Sequence, residues 1–376
     1  MLFADIVGKS QVKELLVRQI NAGHMPHAQL FAGQNGFGSL AMALATTQYL
    51  LCDTPTGKDA CGQCPSCAKT SKLIHPDVHF SFPVVPKKSG SKPVSNDYLE
   101  TWREVALENP HLSYIDWMER IGAENKQGNI TKEECRSIIQ KLSLKAYENK
   151  AKVLILWLPE YLGKEGNSLL KLIEEPPENT YFFLVTENPD GILPTILSRT
   201  QLVAIPPYTS NQLVDALTNQ GETGDVNAVA FLANGDWNAA QKLSISTENN
   251  LSDVLKTWMR LCFRKDVPGL MKWSDEMGGK GRENIKNFLH YALGVFREVL
   301  AYKVIPEYSI RLGESEQQFV SNFSGVIQFT NIEVLYEGLN EGISQIERNA
   351  NPKLTLFQLS LTLRNSFIET QKADKR

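Results

Sequence analysis

The short apolar run Gln29-Leu30-Phe31-Ala32 leads at once into Gly33-Gln34-Asn35-Gly36-Phe37-Gly38-Ser39-Leu40, and an apolar helical stretch follows over residues 41–51. Strand, glycine loop and helix in that order form the frame of a phosphate loop, G-x-x-x-x-G-K-[ST]. In a working loop the glycines let backbone N–H groups curl around phosphates, the lysine reaches the β/γ oxygens and the hydroxyl holds Mg²⁺. Here Ser39 stands at the lysine position and Leu40 at the hydroxyl position. Gly33, Gly36, Gly38 and Ser39 therefore mark a vestigial phosphate loop, with the backbone frame kept and the charge removed.

Around this loop, residues 1–206 alternate helical patterns with short apolar runs. Lys152-Val153-Leu154-Ile155-Leu156 and Tyr181-Phe182-Phe183-Leu184-Val185 read as further buried parallel strands. That rhythm predicts an α/β nucleotide-binding fold. Pro206-Pro207 closes it, since proline extends neither a helix nor a sheet ladder. Residues 207–248 read as a small helical lid, with Leu213, Ala216 and Leu217, then Val229, Ala230 and Leu232, at helical spacing. From 249 to 376 the chain is helical throughout. Its clearest apolar stripe is Ile285, Phe288, Leu289, Ala292, Phe296 and Val299, at the spacing of a core-facing helix. Residues 83–128 open with an exposed Pro/Ser/Gly/Lys loop (83–96). A helical stretch follows in which Trp102, Leu107, Tyr114, Trp117 and Met118 are expected to pack onto the domain surface; no function is assigned to it.

A chain with 39 basic and 42 acidic residues, net charge −3, is no general phosphate-neutralising protein, so any nucleic-acid contact must be local or belong to a partner. The opening MLFADIVGKS lacks a signal pattern and no run is long and apolar enough for a membrane span. A cytoplasmic location is expected, where clustered cysteines favour a metal over disulfides. Four of the six cysteines do cluster, as Cys52-x8-Cys61-x2-Cys64-x2-Cys67. Four thiolates at such spacing suit tetrahedral zinc, and with no open position the site reads as structural. Cys135 and Cys262 lie in apolar helical settings and read as core.

Longer motifs add a family resemblance. Phe3-Ala4-Asp5-Ile6-Val7-Gly8, Pro26-His27-Ala28-Gln29-Leu30-Phe31 and the run Asn167-Ser168-Leu169-Leu170-Lys171-Leu172-Ile173-Glu174-Glu175-Pro176-Pro177-Glu178 resemble the bacterial DNA polymerase III clamp-loader family. So do Thr186-Glu187-Asn188-Pro189, Ile196-Leu197-Ser198-Arg199-Thr200 and Asn349-Ala350-Asn351-Pro352-Lys353-Leu354. The resemblance covers nearly the whole chain except 83–128, which reads as an insertion, and the cysteine spacing is similar to that of the family's zinc module. It implies an AAA+ P-loop NTPase-like α/β domain (1–206) with an inserted zinc module (52–67), a small helical lid (207–248) and an all-α collar for oligomerisation (249–376).

The family's gamma/tau branch hydrolyses ATP and its delta-prime branch does not. The second ATP motif should end a strand in Asp-Glu; here Trp157-Leu158 follow the strand, and Glu160, two to three positions late, reads as a surface or helix-start residue. In the lid, the cis-arginine position of Gly235-Asp236-Trp237-Asn238-Ala239-Ala240 is Asn238. With lysine, hydroxyl, Asp-Glu and cis arginine all replaced, the resemblance implies a delta-prime-type stator that hydrolyses no ATP as an isolated chain. Whether the loop still binds nucleotide is left open by the surviving glycines. Arg199 remains, and the resemblance implies that it serves as an arginine finger in trans at a neighbouring gamma/tau site. The implied partners are gamma/tau and delta subunits and, through the complex, the sliding clamp and primer-template DNA, with no membrane. Two rival readings are a divergent active gamma/tau-type ATPase and a zinc-bearing DNA-binding adaptor.

Overall fold

The structure, a computed structural model, describes every residue except 88–91, 125, 149–150, 223–225, 247–250, 311, 313, 349 and 374–376. Parts of the exposed loop expected at 83–96, the lid boundary at 248 and Asn349 of the C-terminal motif lie outside the described residues. The chain divides into two compact units, Met1–Gln212 with Gly235–Asn238, and Leu213–Asn234 with Ala239–Arg376.

The first unit is built on a five-stranded sheet of β1 (Ala28–Ala32), β2 (Val78–Ser81), β3 (Lys152–Trp157), β4 (Thr180–Thr186) and β5 (Gln201–Ala204). Its order is β2-β3-β4-β1-β5 and every pairing is parallel. Parallel sheets must be covered on both faces, and the strands here alternate between two apolar clusters as their period of two requires. Phe31, Val153, Ile155, Trp157, Phe183 and Val185 point to one cluster. Leu30, Leu154, Leu156, Phe182 and Leu184 point to the other.

The first face is covered from α1 (Ser10–Asn21), α2 (Ser39–Leu51), α3 (Pro65–Thr70), α4 (Leu99–Glu108) and α5 (Tyr114–Arg120); the second from α6 (Lys132–Ser143), α7 (Leu170–Glu174) and α8 (Pro194–Leu197). This is the α/β architecture expected, with the glycine loop joining β1 to α2. The expected strands recur within a residue or two of their ends. The edge strands β2 and β5 are additional: each has four residues, and in β5 only Val203 is buried, so neither carries a strong apolar pattern.

Among the described residues of 83–128, Val84, Val85, Trp102, Val105, Leu112 and Trp117 belong to the first cluster and do not merely lie on its surface. Trp102 and Trp117 are fully buried; Trp102 stacks on Phe82 at 5.0 Å and Trp117 meets Phe82 edge-on at 5.2 Å. The indole N–H of Trp117 donates to the Pro83 carbonyl at 2.8 Å. Leu107 is the exception, remaining half exposed.

Short helices α9 (Ser210–Asn219), α10 (Val226–Leu232) and α11 (Trp237–Ser246) occupy the region read as a lid. Leu213, Ala216, Leu217, Val229 and Ala230 are buried as their spacing requires. The remaining helices are α12 (Leu251–Arg264), α13 (Val267–Gly278), α14 (Arg282–Val304), α15 (Glu314–Val326), α16 (Phe329–Glu347) and α17 (Pro352–Ala373). All six stripe residues of α14 are buried in one core with Trp258 and Trp273, whose rings stack at 5.1 Å. Helix α17 starts as its sequence dictates: Pro352 needs no N–H there, and the Asn351 carboxamide oxygen accepts from the Lys353 N–H at 3.1 Å. Among the described residues, no helix is long and apolar enough to cross a membrane.

Phe183 is fully buried at the sheet centre, its ring 5.4 Å from that of Phe31. Phe183→Ala should destabilise the α/β unit by about 3–5 kcal/mol, measured as a lower urea midpoint by far-UV circular dichroism. An unchanged midpoint would mean that this two-faced packing does not limit stability.

Candidate functional site

Parallel pairing aims the carboxyl ends of β1, β3 and β4 at one rim, where α/β sheets bind ligands. The glycine loop lies there. Gly36 and Gly38 have φ of +74° and +88°, backbone that favours glycine, and Gly38 caps α2. A helix N-terminus of this kind attracts anions. The side chains that should complete the site do not. The Ser39 hydroxyl turns back on the Gly33 carbonyl at 3.5 Å, and Leu40 is buried. Trp157, where a metal-binding carboxylate would stand, lines the same cavity. Asn238, where the resemblance would place an arginine, donates to Asn35 of the loop at 3.0 Å and to the His111 carbonyl at 2.7 Å. The four replaced positions thus converge in space.

The cavity beside the glycine loop holds about 20 Å³, room for about one water. Small-molecule sites run to ~300–1,000 Å³. Two acidic side chains also face the loop. An added Cβ at Gly36 would lie 1.8 Å from the Asp236 carboxylate oxygen, and Glu187 lines the cavity.

Glu187 also borders a larger neighbouring cavity of about 770 Å³, lined by Glu160, Asn188 and the stacked pair Tyr114–Tyr161. Burial, then the nearby Glu160 carboxylate, push the Glu187 carboxyl up to about 7. Burial raises Glu160 as well. Glu160 does start a helical turn, within Pro159–Leu169, but its carboxylate turns inward. It accepts from the Thr186 hydroxyl at 2.9 Å and the Glu187 N–H at 3.3 Å. Paired acids at this rim disfavour a phosphate chain.

Arg199 lies between α8 and β5 and is not among the residues lining either cavity. Its guanidinium is about one-third exposed. It donates to Glu174 at 3.2 Å, to the Thr195 carbonyl at 3.0 Å and to the Ser198 hydroxyl at 3.3 Å. The guanidinium remains partly open to solvent.

The cysteine cluster is assembled around α3. All four sulfurs lie within 4.8 Å of one another; Cys52 and Cys64 are 4.0 Å apart, and Cys61 and Cys67 3.9 Å. Four sulfurs 2.3 Å from a common centre would be ~3.8 Å apart, so the set fits a tetrahedral metal ion. Backbone N–H groups of Cys61, Cys64 and Cys67 point at the sulfurs of Cys52, Cys61 and Cys64 at 3.3–3.4 Å, the outer-shell bonds that orient thiolates. Cys135 and Cys262 are fully buried elsewhere, and the His27 imidazole meets the Ile173 carbonyl at 2.9 Å.

The residues that sequence patterns did not single out are His111, Tyr208 and Asn35. His111 belongs to the segment between α4 and α5, outside every motif, and only the fold brings it to the loop.

The sequence model of the family described as DNA polymerase III, delta subunit, matches residues 8–209. The chain is 27% identical over 210 residues to DNA polymerase III subunit delta' of Escherichia coli (strain K12), covering 55% of this chain and 50% of that protein. It is 25% identical over 260 residues to the delta' subunit of Bacillus subtilis (strain 168), covering 68% and 65%. A third relative is the gamma/tau subunit of Mycobacterium tuberculosis (strain ATCC 25618 / H37Rv), 27% identical over 222 residues, covering 58% and 31%. The chain spans half to two thirds of the length of the two delta' relatives.

The Glu187 carboxyl keeps its proton to about pH 7 in the fold, against an ordinary value of 4.5. Between those values the native state binds more protons, so this group's contribution to stability falls as pH rises. Glu187→Gln should stabilise the chain by about 1–3 kcal/mol at pH 8 and do little at pH 4. Equal effects at both pH values would refute the assignment.

Proposed function

We infer the role of this chain from the family to which it belongs, DNA polymerase III, delta subunit, and from what its site has lost. We propose that it is a clamp-loader subunit of the delta-prime type: it hydrolyses no ATP itself and serves as the fixed arm against which gamma/tau subunits work on the sliding clamp at primed DNA. The observation that carries this reading is the convergence of Ser39, Leu40, Trp157 and Asn238 on one narrow glycine loop. Phosphoryl transfer depends on charge stabilisation at those positions, and none of the four side chains carries charge. The acids Asp236 and Glu187 face the loop as well. The divergent-motor alternative draws on the gamma/tau relatives but has no residue in this site to perform the chemistry.

Arg199 would act in trans. Its planar fork suits the charge spread over a transferring phosphate. In the assembly, the γ-phosphate of a neighbour's ATP would take the place that Glu174 occupies here. Residues 207–248 would form the lid and 249–376 the collar that joins the neighbouring subunits, in the cytoplasm. The four cysteines would hold zinc as a structural ion: four sulfur ligands leave no position for substrate.

In a complex reconstituted with gamma/tau and delta, Arg199→Ala should lower single-turnover hydrolysis at the adjoining site by roughly 10³, with assembly intact. Unchanged hydrolysis would remove the trans-arginine role, and turnover by the isolated chain would favour the motor reading. Metal analysis of the purified chain should find one zinc, lost in Cys64→Ser together with thermal stability of the α/β unit. A zinc-free chain of equal stability would refute the structural ion.

A further inference from the structure

The cradle is small because something fills it. Residues 109–112, from the segment between α4 and α5, enter the space that a phosphate chain would take: Pro110, His111 and Leu112 line the remaining cavity together with Gly33, Gly36 and Gly38. A Cβ placed on Gly38 would lie 2.8 Å from the Tyr208 hydroxyl and 3.2 Å from His111 Nε2. These two side chains press on the backbone where a phosphate loop exposes its N–H groups.

The segment is held as a ligand is held. His111 Nε2 and the Tyr208 hydroxyl are 2.8 Å apart, and the imidazole lies 5.7 Å from the rings of both Tyr208 and Trp237. The His111 carbonyl accepts from Asn238 at 2.7 Å, while the Asn109 carboxamide donates to Asn238 at 3.1 Å. The turn is closed internally, with the His111 N–H donating to the Asn109 side chain at 2.9 Å and the Leu112 N–H to the Asn109 carbonyl at 3.1 Å. Leu112 is buried. Outside the turn, Trp102 of α4 and Trp117 of α5 anchor its two ends against Phe82.

We infer that residues 109–112 are a built-in occupant of the phosphate cradle, a peptide ligand that stands where nucleotide would bind and holds Asn238, which itself reaches Asn35 of the glycine loop. The occupant is neutral: burial, and then the Lys9 ammonium, hold the His111 imidazole down to about 4. A neutral ring in this place tolerates the neighbouring Glu187 and Asp236, which a triphosphate would not. The same contacts leave no room for a side chain at Gly38, which would strike Tyr208 and His111. Nucleotide entry would require eviction of the turn, and each neutral hydrogen bond given up would weaken apparent binding about fivefold. This inference stands apart from the clamp-loader role: a chain that failed to assemble with gamma/tau could still have its cradle filled.

Hydrogen exchange on the full-length chain, with and without Mg·ATP as the probe, tests it. Peptides covering residues 33–40 should be protected without nucleotide and unchanged when Mg·ATP is added. Tyr208→Phe keeps the ring and removes the hydroxyl, so it should speed exchange in that loop about fivefold and leave α12–α17 unaffected. The double substitution Pro110→Gly, His111→Gly should give a larger acceleration confined to the same loop. Loop protection that rises with Mg·ATP in the native chain, or that is indifferent to Tyr208→Phe, would overturn the inference. If the double variant loses protection throughout, the selective effect of Tyr208→Phe still decides.

Discussion

All-parallel pairing of the five strands is the constraint from which the rest of the α/β unit follows. It requires apolar cover on both faces, which α1 to α5 supply on one side and α6 to α8 on the other. It also sends the carboxyl ends of β1, β3 and β4 to a common rim. The sheet brings three groups together at that rim: the glycine loop after β1, Trp157 at the end of β3, and Glu187 just beyond β4.

At that rim the chain keeps the shape of a nucleotide site with different chemistry. Helix α2 still offers its N-terminus and the glycines still bend the backbone. Around them stand serine, leucine, tryptophan and asparagine, with two acids close by. The polar groups around the loop bond to one another, Asn238 to Asn35 and to the His111 carbonyl, and His111 to Tyr208. A site closed by its own chain favours a fixed structure over a cycling one, which agrees with a subunit proposed to resist motion in its neighbours.

The cysteine cluster and Arg199 are independent of that closure. The cysteines gather around a short helix whose N-cap is Cys64 itself, so the turn that starts α3 also orients a sulfur. Arg199 sits on a different edge, bound to Glu174 within the long Asn167–Glu178 motif. An ion pair at a partly exposed position is worth little in water, so releasing the guanidinium to another acceptor costs little.

Much of this was legible in the residues alone. Strong apolar runs marked β1, β3 and β4, and the α14 stripe marked the helical core. Four thiols at close spacing marked a cluster that could hold a metal ion, and Ser39 and Leu40 marked a glycine loop without charged side chains. Each of these is a local pattern, set by side-chain period or by spacing along a few turns of chain. The edge strands β2 and β5 escaped because four residues carry too little periodicity. His111 and Tyr208 escaped for a stronger reason. They are 97 residues apart, belong to no motif, and acquire meaning only when Trp102 and Trp117 anchor the segment between α4 and α5 and set its turn beside the glycine loop. Local sequence determined that this loop lacks the charged groups of a working phosphate site; only tertiary packing decided what would fill it, because the identity of a neighbour in space is a property of the whole fold.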